Sequence, residues 1–343
     1  MKYVLLTIHI GLFALLAACG SSNNATYFET LQNSLDDART QNVDRIVSEM
    51  SKASTNAPTF GSVTQSTDQG ATARVSFDGM STSVVVTKSD DKTVEFGGSA
   101  VDSDQKNVQY TVIDGPPAFW TKGHSMTSAE RSGQRIQFTT AETSWDENNP
   151  RSYVTLGVWE EFKHENGQYH AESFGAYVDG PELRDNFSWR SQSGTATYKG
   201  TTIGHYAYHV PSNPENDQFG TFQAALNLQL NLDRQTITGQ AGLDGGVEVF
   251  RSDGRSEMLP IGVMLEETKI ENNGSFSSNE FKIVSNQIVL SHSSGYWGGK
   301  LSNLVNDDNK PRMAGGTAAG KWTDIFGGEG SLNSAWIAAL DES

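Results

Sequence analysis

Twelve residues decide the fold of this chain: TFQAALNLQLNL, residues 221–232. Every even position from Phe222 to Leu232 is apolar, and polar or small residues stand between them. A period of two is typical of a β-strand with one buried face. A strand this long is unusual in a sandwich and common in a small barrel. The stretch therefore predicts a closed antiparallel barrel.

Shorter strand patterns lie on both sides of this stretch. We expect further strands near residues 194–199, 203–210, 235–241, 246–251, 258–265, 275–284, 287–293, 296–301, 312–318 and 330–338. This number of strands suits an up-and-down barrel. The predicted fold is mainly β, with an N-terminal helix, a β-rich handle-like domain and, at residues 193–343, a C-terminal eight-stranded antiparallel β-barrel.

The handle-like domain is predicted over residues 57–192. Ala73, Val75 and Phe77 alternate with polar residues, and residues 84–86 form a β-branched run, as in strands. Turn-forming residues separate these segments. We expect further strands at residues 108–112, 135–138, 153–159 and 169–177. A turn at residues 165–167 is expected to join the last two strands.

An amphipathic helix is predicted over residues 26–54. Thr26 and Glu29 fit a capping box, with the hydroxyl at the cap and the carboxylate three residues on. Apolar residues then recur every three to five positions, which gives one apolar stripe: Phe28, Leu31, Leu35, Ala38, Val43, Ile46 and Met50. We expect this stripe to pack on the β-domain that follows.

The first nineteen residues have the pattern of a bacterial lipoprotein signal. Lys2 precedes an apolar run, and residues 16–19 read LAAC, which is a lipobox. Residues 1–18 are therefore the predicted signal peptide, and residues 19–25 the lipidated Cys19 with its polar tether. Cys19 is the only cysteine of the chain. The alternative is a membrane-spanning anchor, but the run is shorter than the ~20 residues that a spanning helix needs.

Charge and cysteine content restrict the partners. The chain has 25 basic and 41 acidic residues, a formal net charge of −16, and no basic patch, which argues against nucleic acid. Electrostatic binding of the protein surface to anionic lipid is disfavoured for the same reason. We expect the lipid on Cys19 to hold the protein to the membrane. Because Gly20 and not Asp follows Cys19, the sequence favours the bacterial outer membrane.

No motif for catalysis or metal binding is convincing. Residues 315–321 read GGTAAGK, close to a phosphate-binding loop, but Trp322 follows where Ser or Thr must hold magnesium. His205 and His209 are too far apart on a strand for one metal, whereas His164 and His170 flank a turn and could approach each other.

The remaining polar motifs have simpler interpretations. No nucleophile elbow occurs, and the Glu160-Glu161 pair is read as an alternating or solvated face. The acidic segments 102–104 and 306–309 are read as turns rather than calcium loops. We therefore expect no catalytic residues, no metal and no cofactor, and a chain that is not an enzyme.

Several short motifs occur in the order found in one known family. Residues 194–204 (GTATYKGTTIG) resemble the opening strand pair of the barrel in transferrin-binding protein B-like surface lipoproteins. Further segments are similar to later strands of that barrel: 236–239 (TITG), 296–300 (YWGGK), 314–317 (AGGT) and 330–336 (GSLNSAW). Upstream, residues 153–159 and 173–177 resemble strands that precede it. Ala318 stands where the family usually has an aromatic residue, and Trp336 where it has Phe.

The resemblance implies a single-lobe surface lipoprotein with a handle and a barrel. The function that the resemblance favours is capture of an extracellular protein or solute, such as an iron- or haem-carrying one. An outer-membrane transporter is a further candidate partner. The alternatives are a lipocalin-like carrier of a small apolar ligand and a ligand-free structural envelope lipoprotein.

The position of the ligand follows from what fills the barrel. Long Leu and Trp side chains on the inner face predict a filled interior, which disfavours the carrier. We therefore expect the loops to bind, over residues 178–192, 211–218 and 302–311. Phe119 and Trp120 are candidates for exposed aromatic contacts, with a core position for Trp120 as the alternative.

Overall fold

The structure is a computed structural model. It describes residues 33–35, 37–53, 63–66, 72–77, 82–87, 93–97, 112–114, 120–131, 134–144, 153–179, 183, 187, 189, 192–251, 255–259, 261–285, 288–289 and 292–342. The predicted signal peptide, Cys19, the tether and the capping box lie outside these residues. Phe119 and the acidic segment 102–104 also lie outside them.

Among its described residues, the N-terminal half carries helical residues at 33–35 and 37–40, a helix and nine strands. The helix is α1 (Val43–Ala53). The strands are β1 (Val63–Ser66), β2 (Thr72–Phe77), β3 (Thr82–Thr87), β4 (Thr93–Gly97), β5 (Val112–Asp114), β6 (Trp120–Arg131), β7 (Gln134–Ser144), β8 (Tyr153–Glu165) and β9 (Gln168–Asp179).

In the C-terminal half, the described residues form β-strands and their connections, with one 3-10 turn at Pro214–Asn216. Its strands are β10 (Thr195–His209), β11 (Gln218–Asn231), β12 (Thr236–Ala241), β13 (Val247–Arg251), β14 (Ser256–Leu259), β15 (Ile261–Lys269), β16 (Ser275–Ser278), β17 (Phe281–Ser285), β18 (Ile288–Val289), β19 (Ser294–Leu301), β20 (Met313–Thr323) and β21 (Glu329–Leu340).

The described residues of the handle form two antiparallel sheets. One has the strand order β1-β9-β8-β7-β6-β5, and the other has the order β2-β3-β4. The strands predicted at residues 135–138, 153–159 and 169–177 are confirmed within β7, β8 and β9. Asn166 and Gly167 have φ of 52° and 82°, the left-handed conformation that a two-residue hairpin turn requires. The predicted turn between β8 and β9 is thus confirmed.

Eight strands of the C-terminal sheet make a ring. In order they are β10, β11, β12, β15, β16, β19, β20 and β21, each antiparallel to the next. The step from β15 to β16 is a single bridge between Ile270 and Phe276. The β13–β14 hairpin pairs with the first part of β11, while β17 and β18 extend from β15. The predicted eight-stranded antiparallel β-barrel is therefore confirmed as a nearly closed one.

The alternation that predicted the barrel is present in β11. The apolar set is buried, whereas Ala225 and Gln229 between its members are exposed. The buried set is Phe222, Ala224, Leu226, Leu228, Leu230 and Leu232. These side chains pack inside the barrel with Tyr198, Trp297 and Trp336.

Two strand boundaries differ from those expected. β10 is continuous where the sequence predicted two strands, because Gly200 lies in close approach to β21: a Cβ there would lie 1.9 Å from the carbonyl oxygen of Ile337. The strand expected at 275–284 is split into β16 and β17. The hydroxyl of Ser278 accepts a hydrogen bond from the backbone N–H of Glu280, which forms a turn there.

Glycines in the barrel strands make room for aromatic rings. Gly299 and Gly316 are opposite each other on β19 and β20, with the indole of Trp336 against both. A Cβ on Gly316 would lie 2.4 Å from that indole. The GGTAAGK segment is therefore part of strand β20 and has no loop-to-helix geometry for a phosphate.

The predicted helix is interrupted by a turn at residues 41–42. Residues 33–35 and 37–40 are helical, and α1 begins after Asn42, a residue type preferred at helix N-caps. The buried stripe of the described part is Leu35, Ala38, Val43, Ile46, Val47 and Met50. It packs on Phe162 and Phe174 of the handle and on Ala207 and Phe219 of the barrel. Within the described residues, no helix has the length and apolar character needed to span a membrane.

The handle also packs directly on the outer face of the barrel. Leu156 and Val158 of β8 and Val178 of β9 contact the barrel, where Ile203 and Ile337 are buried with them. One side of the barrel wall is therefore apolar on both faces. This arrangement places β10 and β21 between the barrel interior and the handle.

Candidate functional site

A cavity of about 270 Å³ occupies one end of the barrel interior. Its walls come mainly from apolar side chains of β10, β11, β13, β15 and β17, together with β20 and β21. The described residues that line it include Tyr206, Phe222, Ala224, Leu226, Ala241, Val247, Val249, Val263, Leu265, Phe281, Ile283, Ala318, Trp322, Leu332 and Trp336.

Small side chains create this space. Ala224, Ala241 and Ala318 lie on its wall, and their short side chains leave room there. The opposite end of the barrel is filled by buried side chains, among them Tyr198, Leu228, Leu230, Leu232, Ile237, Phe276 and Trp297. The expected filled interior is therefore wrong for one end of the barrel. Of the leucines at positions 226–232, Leu226 alone lines the cavity.

The polar residues of the lining lie mostly at the mouth of the cavity. Tyr208 is the last residue but one of β10, Gln218 begins β11, Ser285 ends β17, and Asp324 follows β20, all at the same end of the barrel. The deeper hydroxyls donate to backbone carbonyls of the barrel: Thr202 to Ala335, and Ser334 to Ala318. The mouth is therefore the polar end of an apolar site.

Tyr208 and Asp324 form the hydrogen bond that defines the mouth. The Tyr208 hydroxyl donates to Oδ2 of Asp324, while Oδ1 accepts from the backbone N–H groups of Phe326 at 2.7 Å and Gly328 at 2.9 Å. Burial, with the adjacent carboxylate, raises the pKa of Tyr208 to about 12. Burial alone would raise the pKa of Asp324, but these hydrogen bonds lower it on balance. At neutral pH, Tyr208 is thus protonated and Asp324 ionised.

The turn that carries Asp324 exposes two apolar side chains. Ile325 is 85% exposed and Phe326 is 83% exposed. Backbone hydrogen bonds between Asp324 and both Gly327 and Gly328 close the turn. It therefore holds an exposed apolar pair beside the cavity mouth.

A second polar cluster joins three separate parts of the chain. Nε of Arg39, from the N-terminal helical segment, donates to Oε2 of Glu160 on β8 at 2.7 Å. Nε2 of His205, on β10, lies 2.9 Å from Oε1 of the same carboxylate. Each of the three residues is less than one tenth exposed. The cluster links the helix, the handle and the barrel through one carboxylate.

Aromatic rings surround this cluster. The guanidinium of Arg39 lies 5.1 Å from the ring centroid of Phe162. The imidazole of His205 stacks on Phe219 at 5.8 Å and meets Phe174 edge-on at 6.0 Å. Burial would raise the pKa of Glu160, but the charges and hydrogen bonds of Arg39 and His205 hold it at about 2. Glu160 is therefore an anion at all ordinary pH values.

Of the two interpretations given for the Glu160-Glu161 pair, the solvated face is wrong for Glu160, whereas an alternating face agrees with its burial. Period two on β8 places Glu160 on the same face as Val158 and Phe162, which are both buried. That alternation was the available signal in the sequence. Arg39 carried no comparable signal, because its partner is 121 residues away along the chain.

His209, His164 and His170 make no common site in the described part of the chain. His209 pairs with Asp217, with Nδ1 2.8 Å from Oδ2. The approach suggested for His164 and His170 is wrong, because His170 is opposite Lys163 in the hairpin and His164 is opposite Tyr169, which places them on opposite faces. Among the described residues no group of three potential metal ligands occurs. This does not test the expected absence of a metal, which stays a prediction.

The predicted binding loops are described in part. Residues 306–309 form a turn in which Oδ1 of Asn306 accepts from the backbone N–H groups of Asp308 and Lys310, as expected for a turn. In the segment before β11, Oδ1 of Asp217 accepts from the backbone N–H of Val210. Trp120 is the first residue of β6. Cys19 lies outside the described residues, and its lipid remains a prediction.

No protein-family model matches this chain, and no curated protein matches it. Among solved structures, the chain is similar to intact Ap-TbpB (N and C lobes), with 11% identity and a TM-score of 0.31 over 76% of this chain and 52% of that one. The chain therefore spans about half the length of that protein.

Two further solved structures are similar at the same level. One is a protein of unknown function from the DUF3598 family of Nostoc punctiforme, with 9% identity, a TM-score of 0.21, and 81% and 88% of the two chains covered. The other is kievitone hydratase from Nectria haematococca, with 8% identity, a TM-score of 0.26, and 86% and 92% covered. These values express a weak, fold-level likeness, and no residue of the site is assigned from it.

Proposed function

We propose that this protein is a lipid-anchored bacterial binding protein whose barrel takes a small apolar ligand in its interior cavity. The cavity of about 270 Å³ is the observation that carries the proposal. Binding pockets are typically concave, largely apolar and provided with a few polar groups, as this one is. The proposal selects the carrier alternative over capture by loops alone.

The size of the cavity limits the size of the ligand. Drug-sized ligands occupy sites of roughly 300–1,000 Å³, and an engineered apolar cavity of about 150 Å³ holds benzene. A space of about 270 Å³ therefore suits a compact molecule, such as a phenyl ring with a short chain. We propose a ligand of that size rather than a haem or a long-chain lipid.

Unfilled apolar volume also has an energetic consequence. In core substitutions, stability falls by roughly 24 cal/mol for each Å³ of cavity left behind. A larger residue in place of Ala224 or Ala318 would occupy part of this space. A ligand bound there would offset the cost, which is consistent with a binding role.

Binding of a model ligand tests this function. The mature chain, residues 19–343 with Cys19→Ser to prevent lipidation, would be titrated with 3-phenylpropan-1-ol by calorimetry and by fluorescence of Trp322 and Trp336. We expect one-to-one binding that Ala224→Leu abolishes and Gln229→Ala leaves intact. Absence of binding, or equal binding by the Ala224→Leu variant, would show that the cavity is not the site.

The proposed anchor is a diacylglycerol on Cys19, after removal of residues 1–18. The lipobox and the single cysteine support it. We expect Cys19→Ala to release the protein from outer-membrane fractions and to abolish incorporation of labelled fatty acid. A variant that still sediments with the membrane, with no acyl label in either form, would exclude the lipid anchor.

Capture of an extracellular protein is the second candidate function. The exposed pair Ile325 and Phe326 favours it, because apolar side chains held outward on a closed turn can serve as contacts for a partner. An iron- or haem-carrying protein or an outer-membrane transporter would be tested by pull-down. Here Phe326→Ser should remove the interaction, whereas Gln229→Ala should not.

We propose binding without catalysis. The ionisable residues among the described lining of the cavity are Tyr206, Tyr208 and Asp324. Because the pKa of Tyr208 is raised to about 12, its hydroxyl is a donor and not a base at neutral pH. Incubation of the 3-phenylpropan-1-ol complex, followed by mass spectrometry, should return the compound unchanged.

A further inference from the structure

The geometry points to the class of ligand: a small apolar molecule that carries a hydrogen-bond donor, neutral or cationic, at the end facing Asp324. This inference rests on the proposed binding function of the cavity. It assigns Asp324 as the residue that selects the head group of the ligand. A ligand with a carboxylate head group is expected to bind less tightly.

Asp324 is the one charged side chain among the described residues that line the cavity. Lys, Arg, His and Glu do not occur among these described lining residues. A head group at the mouth therefore meets a negative charge with no cation of the lining beside it. In the interior, the hydroxyls of Thr202 and Ser334 already donate to backbone carbonyls, so the deep part of the cavity is suited to an apolar body.

The Asp324 carboxylate is held in its ionised form at the mouth of the cavity. The hydroxyl of Tyr208 and the N–H groups of Phe326 and Gly328 donate to it, and the N–H of Gly327 also favours its ionised form. Its negative charge attracts an ammonium group and favours a hydroxyl donor of a ligand, whereas it repels an ionised carboxylate.

Aromatic side chains near Asp324 would further favour a cation. Trp322 precedes Asp324 by two residues, and both line the cavity together with Tyr208. The face of an aromatic ring attracts an ammonium group within about 6 Å of its centroid. The mouth thus combines a fixed anion with aromatic rings, which is chemistry that recognises amines.

Three probes with one apolar body test the head-group preference. They are 3-phenylpropan-1-amine, 3-phenylpropan-1-ol and 3-phenylpropanoate, titrated into the mature chain carrying Cys19→Ser at pH 7 and low salt. Asp324 is partly open to water, and exposed charge pairs have small effects, so we expect the amine to bind about fivefold more tightly than the carboxylate. Added salt should reduce this ratio.

Two matched variants separate the effect of Asp324 from net charge. Asp324→Asn keeps the size and turn-forming ability of the side chain but removes its charge, and it should bring the amine and the carboxylate to within about twofold of each other. Glu329→Gln removes one charge from the exposed start of β21, outside the cavity lining, and should keep the wild-type ratio. Circular dichroism would establish that each variant is folded.

The outcomes distinguish the head-group inference from the proposed function. If the alcohol binds but the amine and the carboxylate bind equally well, the head-group inference is wrong and the cavity remains a binding site. An unchanged ratio in Asp324→Asn, or an equal change in Glu329→Gln, would also overturn it. If none of the three probes binds, the proposed function itself fails.

Discussion

Glu160 of the handle and His205 of the barrel face each other across the boundary between the two, with Oε1 of Glu160 2.9 Å from Nε2 of His205. Arg39 contacts the other carboxylate oxygen at 2.7 Å. A buried charge is tolerated only when its partners compensate for the loss of hydration. The positions of the helical segment, the handle and the barrel therefore depend on one another through this carboxylate.

Replacing Glu160 should destabilise the protein strongly. Glu160→Gln removes the negative charge that the buried Arg39 guanidinium contacts, and breaking a buried ion pair typically costs about 3–5 kcal/mol of unfolding free energy. Urea denaturation would measure it. Glu165→Gln, on the same strand but half-exposed beside Lys163, is the matched control and should leave the denaturation midpoint nearly unchanged. Equal midpoints for the two variants would contradict a role for the buried cluster.

The same carboxylate should contribute to stability in a defined pH range. Its pKa is about 2 in the folded protein, against a reference value of 4.5. Because the folded pKa is the lower one, the contribution is complete above about pH 4.5 and is lost as the pH falls toward 2. Over that range the unfolding free energy of the wild type should fall by about 3 kcal/mol more than that of Glu160→Gln. Denaturation at stepped pH values tests this, and parallel curves would refute it.

Neighbouring residues of β11 should differ sharply in their effect on stability. Leu228 is fully buried in the filled end of the barrel, whereas Gln229 is exposed. Leu228→Ala should cost about 2–5 kcal/mol of unfolding free energy through lost contacts and the space left behind. Gln229→Ala should change it by less than about 0.5 kcal/mol. Similar losses for both would mean that the facing of β11 is wrong.

Alanines at the two ends of the barrel should respond differently to enlargement. Ala224 lines the cavity, so Ala224→Leu has room and should be neutral or stabilising. Ala338 is fully buried in the packed core outside the cavity lining. Ala338→Leu should therefore cost about 1–3 kcal/mol through overpacking. Thermal unfolding of the two variants compares them directly, and an equal loss at both sites would show that the cavity is not available space.

Much of the fold could be predicted from local patterns. The alternation of residues 222–232 specified the inner face of β11, and the Asn166-Gly167 turn specified a hairpin. These predictions succeeded because strand period and turn conformation depend on residues close together in sequence. The continuity of β10 through Gly200 was not predicted, because the close approach of Ile337 on β21 comes from a residue 137 positions away in the chain.

The candidate sites were less accessible to prediction. Ala224 and Ala318 can be read as inward-facing, but the sequence does not show that both line one unfilled end of the barrel. Tyr208 and Asp324 are 116 residues apart, and no local motif joins them. The pairing of Arg39 with Glu160 depends likewise on the docking of separate elements.

The sequence by itself determined the mainly β class, the facing of β11 and the buried stripe of the N-terminal helix, because each follows from the spacing of apolar residues along a few turns or strands. The tertiary structure decided where the ring closes, which end of its interior stays open and which charges lose their contact with water. Those properties depend on side-chain volumes and charges that come together only on folding, across separations of more than a hundred residues in the case of Glu160 and Arg39.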